Sequence, residues 1–324
     1  MTGPQAAVES FLAAHGWSAA ARRPLAGDAS GRRYQRLLAA GERALLMEAP
    51  PPGEKPAEFI AVAGLLAKLG LSAPRVLAVD AERGLLLIED FGDDTYSLLL
   101  DQGSAPAPLY HLAVDTLVHL HRHFDAGDPT TAALPRYDGA LLIEQAALFC
   151  DSHPAPIGKI GADAKAAFVA AWRTPVDRAL AVPRSLLLRD FHAGNLFHLP
   201  ERPGIAACGL IDFQDAGIGP VTYDLISLLQ DARREVPAEA AASAMARYQA
   251  AHPELPPDDF EASCAVLAAQ RHVRVIAVFA RLAAAGKPGY SVHLPRLWRL
   301  LARALEHPAL ADVRAWFARH APIP

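Results

Sequence analysis

The sequence predicts an α+β chain of two lobes: a small N-terminal lobe with an antiparallel sheet plus a helix, and a larger, mostly helical C-terminal lobe. Three observations point there. Short apolar runs bounded by charge, Gly and Pro crowd the first 90 residues and read as strands. From Tyr96 onward the apolar spacing is mostly helical. One strand-like stretch interrupts the helices, Ser185 to Asp215 (SLLLRDFHAGNLFHLPERPGIAACGLIDFQD), with acids and an amide at its strand ends. The expected division is residues 1–90 for the first lobe and 91–324 for the second.

At 324 residues the chain can bury a substantial core, and with 52% hydrophobic and 20% charged residues it falls with ordinary globular proteins. A net charge of −4 gives no sign of a nucleic-acid partner. No apolar run approaches the ~20 residues of a membrane span. The N-terminal MTGPQAAVESFLAAHGW carries Glu9 where a signal peptide would be basic and then apolar, and reads as an amphipathic helix. Cys150, Cys208 and Cys264 are odd in number and far apart, which suits reduced core thiols. A cytoplasmic protein with no obligate protein partner is the expectation.

After the first helix, Pro24 to Leu38 places Gly27, Asp28, Ala29, Ser30 and Gly31 between two strand-like pieces. Such a hairpin turns backbone N–H groups toward an anion. The next strand, Arg43–Glu48, is followed by the stiff APPPGEKP and a helix from about Ala57 to Leu69. Ile60, Leu65, Leu66 and Leu69 are read as that helix's apolar stripe. Strands at Arg75–Val79 and Leu85–Glu89 turn at Asp80–Gly84, and Glu89 to Thr95, with Phe91 and Gly92, suits a hinge between the lobes. Leu109–Phe124, Glu144–Ser152 and Ala162–Ala181 read as helices. His119 and His123 have i, i+4 spacing, but no third metal ligand accompanies them. A helix begins near Tyr223, with Asp224 in its first turn.

The central stretch resolves into strands at Ser185–Leu188, Leu196–Leu199 and Ala207–Ile211. Asp190, Asn195 and Asp212 stand at their ends. Phosphoryl transfer needs an aligned hydroxyl, a carboxylate to take its proton, and Mg²⁺ on the phosphates of ATP. Asp-x4-Asn supplies a base and one oxygen ligand on a tight loop, and Asp212 supplies a second ligand after the hairpin, oxygen donors that suit Mg²⁺.

Leu188-Arg189-Asp190, Asn195 and Ile211-Asp212-Phe213 resemble the catalytic core of the protein-kinase-like superfamily. The G-P-x-x-Y-D-helix after it narrows the resemblance to the aminoglycoside phosphotransferase/choline kinase family. Arg189-Asp190-Phe191-His192-x-x-Asn195, Ile211-Asp212-Phe213-Gln214-Asp215-Ala216, Gln270 to Leu282 and Gly286 to Tyr290 are similar to the bacterial cell-wall sugar 1-kinases of that family. The resemblance implies ATP and Mg²⁺ as cofactors and a small amino sugar as substrate: N-acetylmuramate or N-acetylglucosamine, phosphorylated on the anomeric hydroxyl in peptidoglycan recycling. It implies Asp190 as base, Asn195 and Asp212 on the metal, and Arg189 and Asp224 bracing the loop. ATP would meet Gly27, Asp28, Ala29, Ser30, Gly31, Arg33, Glu89 and Phe91. Asp190, His192, Gln270, Arg271 and Arg274 would face the sugar, with loop packing the other reading of His192.

Two departures stand out. Leu188 replaces the histidine before Arg-Asp, and the phosphate-binding lysine of the superfamily is missing, with Met47 at its position. Arg33 and Arg36 are either its replacement or a solvated strand face. Charge adds a view of the substrate: residues 261–324 hold nine Lys and Arg against three acids. Arg271, Arg274 and Arg281 are expected on one face of an otherwise apolar helix, where guanidinium groups suit a carboxylate ligand or structural acids. Kinases of other small alcohols (an aminoglycoside, choline, homoserine) and a nucleotide-binding pseudokinase scaffold stay open.

Overall fold

The computed structural model describes residues 3–25, 31–128, 131–154 and 157–324. Gly27, Asp28, Ala29 and Ser30 lie outside the described residues. The chain packs as two compact units, Met1–Ser104 with Gly194–Asp215, and Ala105–Ala193 with Ala216–Pro324. The division expected at residue 90 thus falls at 104, and the first unit takes back a later segment of 22 residues, 194–215.

The first unit opens with helix α1 (Pro4–Ala14), followed by strands β1 (Ala21–Pro24), β2 (Arg33–Ala39) and β3 (Glu42–Glu48). Ala40 and Gly41 both have positive φ, 49° and 85°, the backbone of a tight two-residue hairpin turn between β2 and β3. Helix α2 (Pro56–Lys68) leads to β4 (Val76–Asp80) and β5 (Leu85–Glu89). The sheet is antiparallel throughout, in the spatial order β1-β2-β3-β5-β4. Val8, Phe11 and Leu12 of α1 pack on Leu37, Leu46, Leu85 and Leu87. Leu12, Leu37 and Leu46 are fully buried, and each such side chain contributes about 2 kcal/mol. Leu85 to Ile88 are all buried, so β5 is a continuous apolar run with no alternation. The buried face of α2 is Phe59, Val62, Ala63 and Leu66, at i, i+3, i+4 and i+7, not the stripe through Ile60, Leu65 and Leu69. Gly84 is required by its turn: φ is 65°, and a Cβ there would stand 2.1 Å from the carbonyl oxygen of Ala49.

The Thr95 hydroxyl accepts the Leu98 N–H at 3.1 Å and caps α3 (Tyr96–Asp101). The second unit contains α4 (Pro106–His123), α5 (Gly139–Asp151), α6 (Ala162–Ala179) and strand β6 (Arg184–Leu187). The chain then enters the first unit for β7 (Leu196–His198) and β8 (Cys208–Leu210), an antiparallel pair. It returns as β9 (Gly217–Pro220), which pairs with β6. Helices α7 (Thr222–Leu229), α8 (Ala238–Ala251), α9 (Pro257–Ala284), α10 (Leu294–Ala304) and α11 (Ala311–His320) complete it. α9 is the axis of this unit, packed against α5, α6, α7 and α10. By length and composition α9 could cross a membrane, but its apolar stretch is buried in the unit's core. None of Cys150, Cys208 and Cys264 forms a disulfide, and all three are buried.

Candidate active site

Strand register gathers the candidate residues of the first unit. Leu196 pairs with Leu210 across β7 and β8, and the Ile211 N–H donates to the Asn195 carbonyl at 3.2 Å. Asn195, just before β7, therefore lies beside Asp212, two residues past β8, and its Nδ2 is 3.4 Å from Asp212 Oδ2. Asp212 has a left-handed backbone, φ 61°, an uncommon state that Asp tolerates better than most residues. Phe213 turns inward and stacks on Phe59, with ring centroids 5.1 Å apart.

The other oxygen of Asp212 already holds a cation. Arg32 Nη2 lies 2.5 Å from Asp212 Oδ1, and its Nη1 donates to Gln214 Oε1 at 2.8 Å. Gln214 Nε2 donates back to Asp212 Oδ1 at 3.1 Å. Glu54 sits behind the guanidinium, 3.4 Å from Arg32 Nε, and accepts the Gly31 N–H at 2.6 Å. Among the described residues no three His, Cys, Asp or Glu side chains are grouped to hold a metal. Asn195 and Asp212 offer an oxygen-only pair beside a position that attracts a cation. They fit a hard divalent ion that completes its shell from phosphate and water.

The expected nucleotide residues divide. Arg33 is 69% exposed and pairs with Glu48 at 3.0 Å. Arg36 is consumed near the end of β5, 2.6 Å from Asp90 and 2.9 Å from both Asp93 and the Gly92 carbonyl. Glu89 accepts Arg202 Nη2 at 2.6 Å, and the same guanidinium lies 5.1 Å from the centre of the buried Phe91 ring.

The candidate residues of the second unit are built on the turn after β6. Asp224, in the first turn of α7, is fully buried and accepts the N–H groups of Leu188 at 2.6 Å and Arg189 at 2.9 Å. Arg189 is thereby held at φ 74°, costly for a residue with a Cβ. Burial pushes the Asp224 carboxyl up to about 7; the two amides oppose that rise, and the charge of Asp190 adds to it. Asp190 behaves oppositely. Burial alone would raise it, but the charges of Arg274, Arg189 and Arg271 outweigh burial and hold it below the ordinary carboxylate value. It is therefore ionised at neutral pH.

His192 is buried, and burial keeps its ring neutral. Arg233 Nη1 points at its Nε2 from 3.1 Å; since a guanidinium only donates, Nε2 accepts and the ring proton belongs on Nδ1. Arg271 and Arg274 are 2% and 5% exposed. Nε and Nη1 of Arg271, and Nε of Arg274, have no hydrogen-bond partner among the described residues. Gln270 instead donates to the Leu142 carbonyl at 2.9 Å, a tie between α9 and α5. Arg281 is exposed at the end of α9, apart from the two buried arginines.

Sequence reading did not single out Arg32, Glu54, Gln214 or Arg233. Arg32 adjoins Arg33, and only the strand's alternation, which turns neighbours to opposite sides, hints that one points inward.

A five-stranded antiparallel lobe, a helical lobe, and an Asp-x4-Asn loop followed by Ile-Asp-Phe define a two-lobed, protein-kinase-like phosphotransferase fold. Residues 21–259 match the model of the phosphotransferase enzyme family (APH), and the chain belongs to that family. It is 38% identical to an N-acetylmuramate/N-acetylglucosamine kinase of Caulobacter vibrioides, over 98% of this chain and 97% of that one. A protein of the same name from Pseudomonas aeruginosa is 37% identical over 90% of this chain and 86% of its own. Among solved structures, a choline/ethanolamine kinase family protein from Mesorhizobium loti superposes with TM-score 0.63 at 18% identity, covering 97% of this chain and 100% of that one. A microcompartment-associated aminopropanol kinase gives TM-score 0.64 at 19% identity, with 94% and 98% coverage. These two likenesses concern the fold.

Proposed function

We propose that the chain is an ATP- and Mg²⁺-dependent kinase that phosphorylates the anomeric hydroxyl of N-acetylmuramate, N-acetylglucosamine or both, in peptidoglycan recycling. The names of relatives at 37–38% identity support the sugar. The observation that carries the chemistry is Asp190, half-buried yet held ionised by the arginines around it. Asp190 takes the proton of the attacking hydroxyl as its oxygen bonds to the γ-phosphorus and ADP leaves. Asn195 and Asp212 would hold Mg²⁺, which when bound neutralises charge on the phosphates. Asp224 fixes the loop that aims Asp190, through the amides of residues 188 and 189.

Arg271 and Arg274 bear on the choice of substrate. Buried guanidinium N–H groups without partners favour an anionic ligand, and the lactyl carboxylate of N-acetylmuramate matches them. They repel a polycationic aminoglycoside. The reduced thiols and the need for ATP suit the cytoplasm.

The test offers purified protein ATP and MgCl₂ with N-acetylmuramate, N-acetylglucosamine, choline, homoserine or kanamycin, and follows ³¹P spectra. The expected product is a sugar phosphate whose phosphorus couples to the anomeric proton. Phosphate on the 6-hydroxyl, or turnover only with an amino alcohol or aminoglycoside, overturns the reading.

A further inference from the structure

We propose that Arg32 is the phosphate-binding cation of the nucleotide site, held on Asp212 until nucleotide takes it over. This rests on the ATP-dependent reading above. A phosphoryl-transfer site needs a cation beside the phosphates, ordinarily a lysine fixed by a glutamate. β3 offers none inside the fold, since Met47 is buried there. The neighbouring cations of the first unit are committed elsewhere. Arg33 is exposed on Glu48, Arg36 is bound by Asp90, Asp93 and the Gly92 carbonyl, and Lys55 reaches Asp215 at 2.7 Å.

Arg32 has the required setting. Its side chain is 11% exposed, and it follows Gly31, the described end of the glycine segment. Glu54 holds the Gly31 amide with one oxygen and approaches Arg32 Nε with the other, so one carboxylate fixes both the end of the segment and its cation. The two terminal nitrogens face Asp212 and Gln214. That two-pronged edge also suits phosphate oxygens, which a guanidinium binds bidentately. A divalent ion on Asp212 would compete with Arg32 for Oδ1. The guanidinium released from Asp212, still anchored by Glu54, would then turn to phosphate. Arg32 therefore has two opposed effects: it blocks a metal ion that arrives alone and it strengthens binding of the metal–nucleotide complex.

The opposed effects give the test. Mn²⁺ is titrated into protein without nucleotide, with the free-ion EPR signal as readout, and Mg·ATP binding is measured by calorimetry. Arg32→Met should bind Mn²⁺ alone several-fold more tightly and Mg·ATP about 10- to 100-fold more weakly, the range of a lost charge-assisted hydrogen bond. Arg32→Lys, which keeps the charge and loses the fork, should recover part of the Mg·ATP affinity and keeps the test valid if the Met variant unfolds. Mg·ATP affinity within twofold of wild type for Arg32→Met, or a large loss for Arg33→Met instead, overturns the proposal. Wild type that binds no Mg·ATP at all would instead reject the ATP-dependent reading.

Discussion

Replacing Asp224 with Asn tests how the loop that carries Asp190 is held. The carboxylate accepts two buried backbone N–H groups, at 2.6 and 2.9 Å, one on each oxygen. Hydrogen bonds to a charged acceptor contribute about 1.5–3 kcal/mol each. Asn keeps one acceptor and turns an N–H₂ toward the second amide, so one bond is lost and two donors face each other. Arg189, left at φ 74° without its restraint, adds an incentive of about 1–3 kcal/mol to relax the loop. The expected destabilisation is about 3 kcal/mol, a fall in Tm of roughly 6–12 °C for a unit of this size. Asp190 follows Arg189 directly, and a misplacement of about 1 Å costs on the order of 100-fold in kcat. Urea unfolding, thermal melts and steady-state kinetics measure these quantities, with KM for ATP expected to stay near wild type. A pH series sharpens the test. The folded chain holds the Asp224 proton up to about 7, against 3.8 for an unperturbed Asp. Wild type therefore loses stability as pH rises through that window, and the Asn variant does not, so the gap between them narrows from pH 5 to 8. Unchanged Tm and unchanged kcat would refute the brace; a lower Tm with wild-type kcat would leave Asp224 structural and without influence on Asp190.

Asp190→Asn is expected to keep nucleotide binding, measured by calorimetry, and to lower kcat by 10² or more; a variant with over a tenth of the activity rejects Asp190 as base. Arg271→Gln should raise KM for N-acetylmuramate about tenfold or more and leave KM for N-acetylglucosamine nearly unchanged, since only the former has a carboxylate to lose. Equal changes for both sugars would assign Arg271 to packing. His272 is fully buried, donates from its ring to Gln230 at 2.8 Å, and is held far below 6.5 by burial and by the charges of Arg271 and Arg296. As pH falls below 6.5 the unfolded chain takes up a proton the folded chain refuses, so stability should drop by about 1.4 kcal/mol per pH unit. In urea unfolding at pH 7, 6 and 5, His272→Gln should show a shallower slope.

Much of the architecture was legible because the strands and helices carry strong periodicity. β5 lies at Leu85–Glu89, the residues expected, and α6 starts at the expected Ala162. Nothing in the sequence marks β9 as a strand, since its four residues, Gly217–Pro220, include two glycines and a proline. Packing imposes that composition: a Cβ on Gly217 would lie 2.5 Å from the Pro135 carbonyl oxygen, and one on Gly219 would lie 2.7 Å from Leu187 Cδ1. Local propensity cannot see a neighbour 80 residues away. The stripe on α2 was misread for a similar reason, because Phe59 owes its inward position to Phe213, which follows more than 150 residues later. Within the site, motif spacing singled out Asp190, Asn195, Asp212 and Asp224. It was silent on Arg32 and Glu54, whose pairing depends on how the chain on either side of β2 and β3 is brought together.

The return of residues 194–215 to the first unit bears on synthesis. Ser72 accepts the Leu210 amide at 2.7 Å, so a polypeptide leaving the ribosome cannot finish its amino-terminal body until some two-thirds of it has emerged. A fragment cut at residue 104 would lack β7, β8 and Phe213, and would expose Phe59 and the open edge beside Ser72. Neither body is a contiguous stretch that can be cloned alone. Whatever guards the nascent chain from aggregation must act until the β7–β8 hairpin arrives.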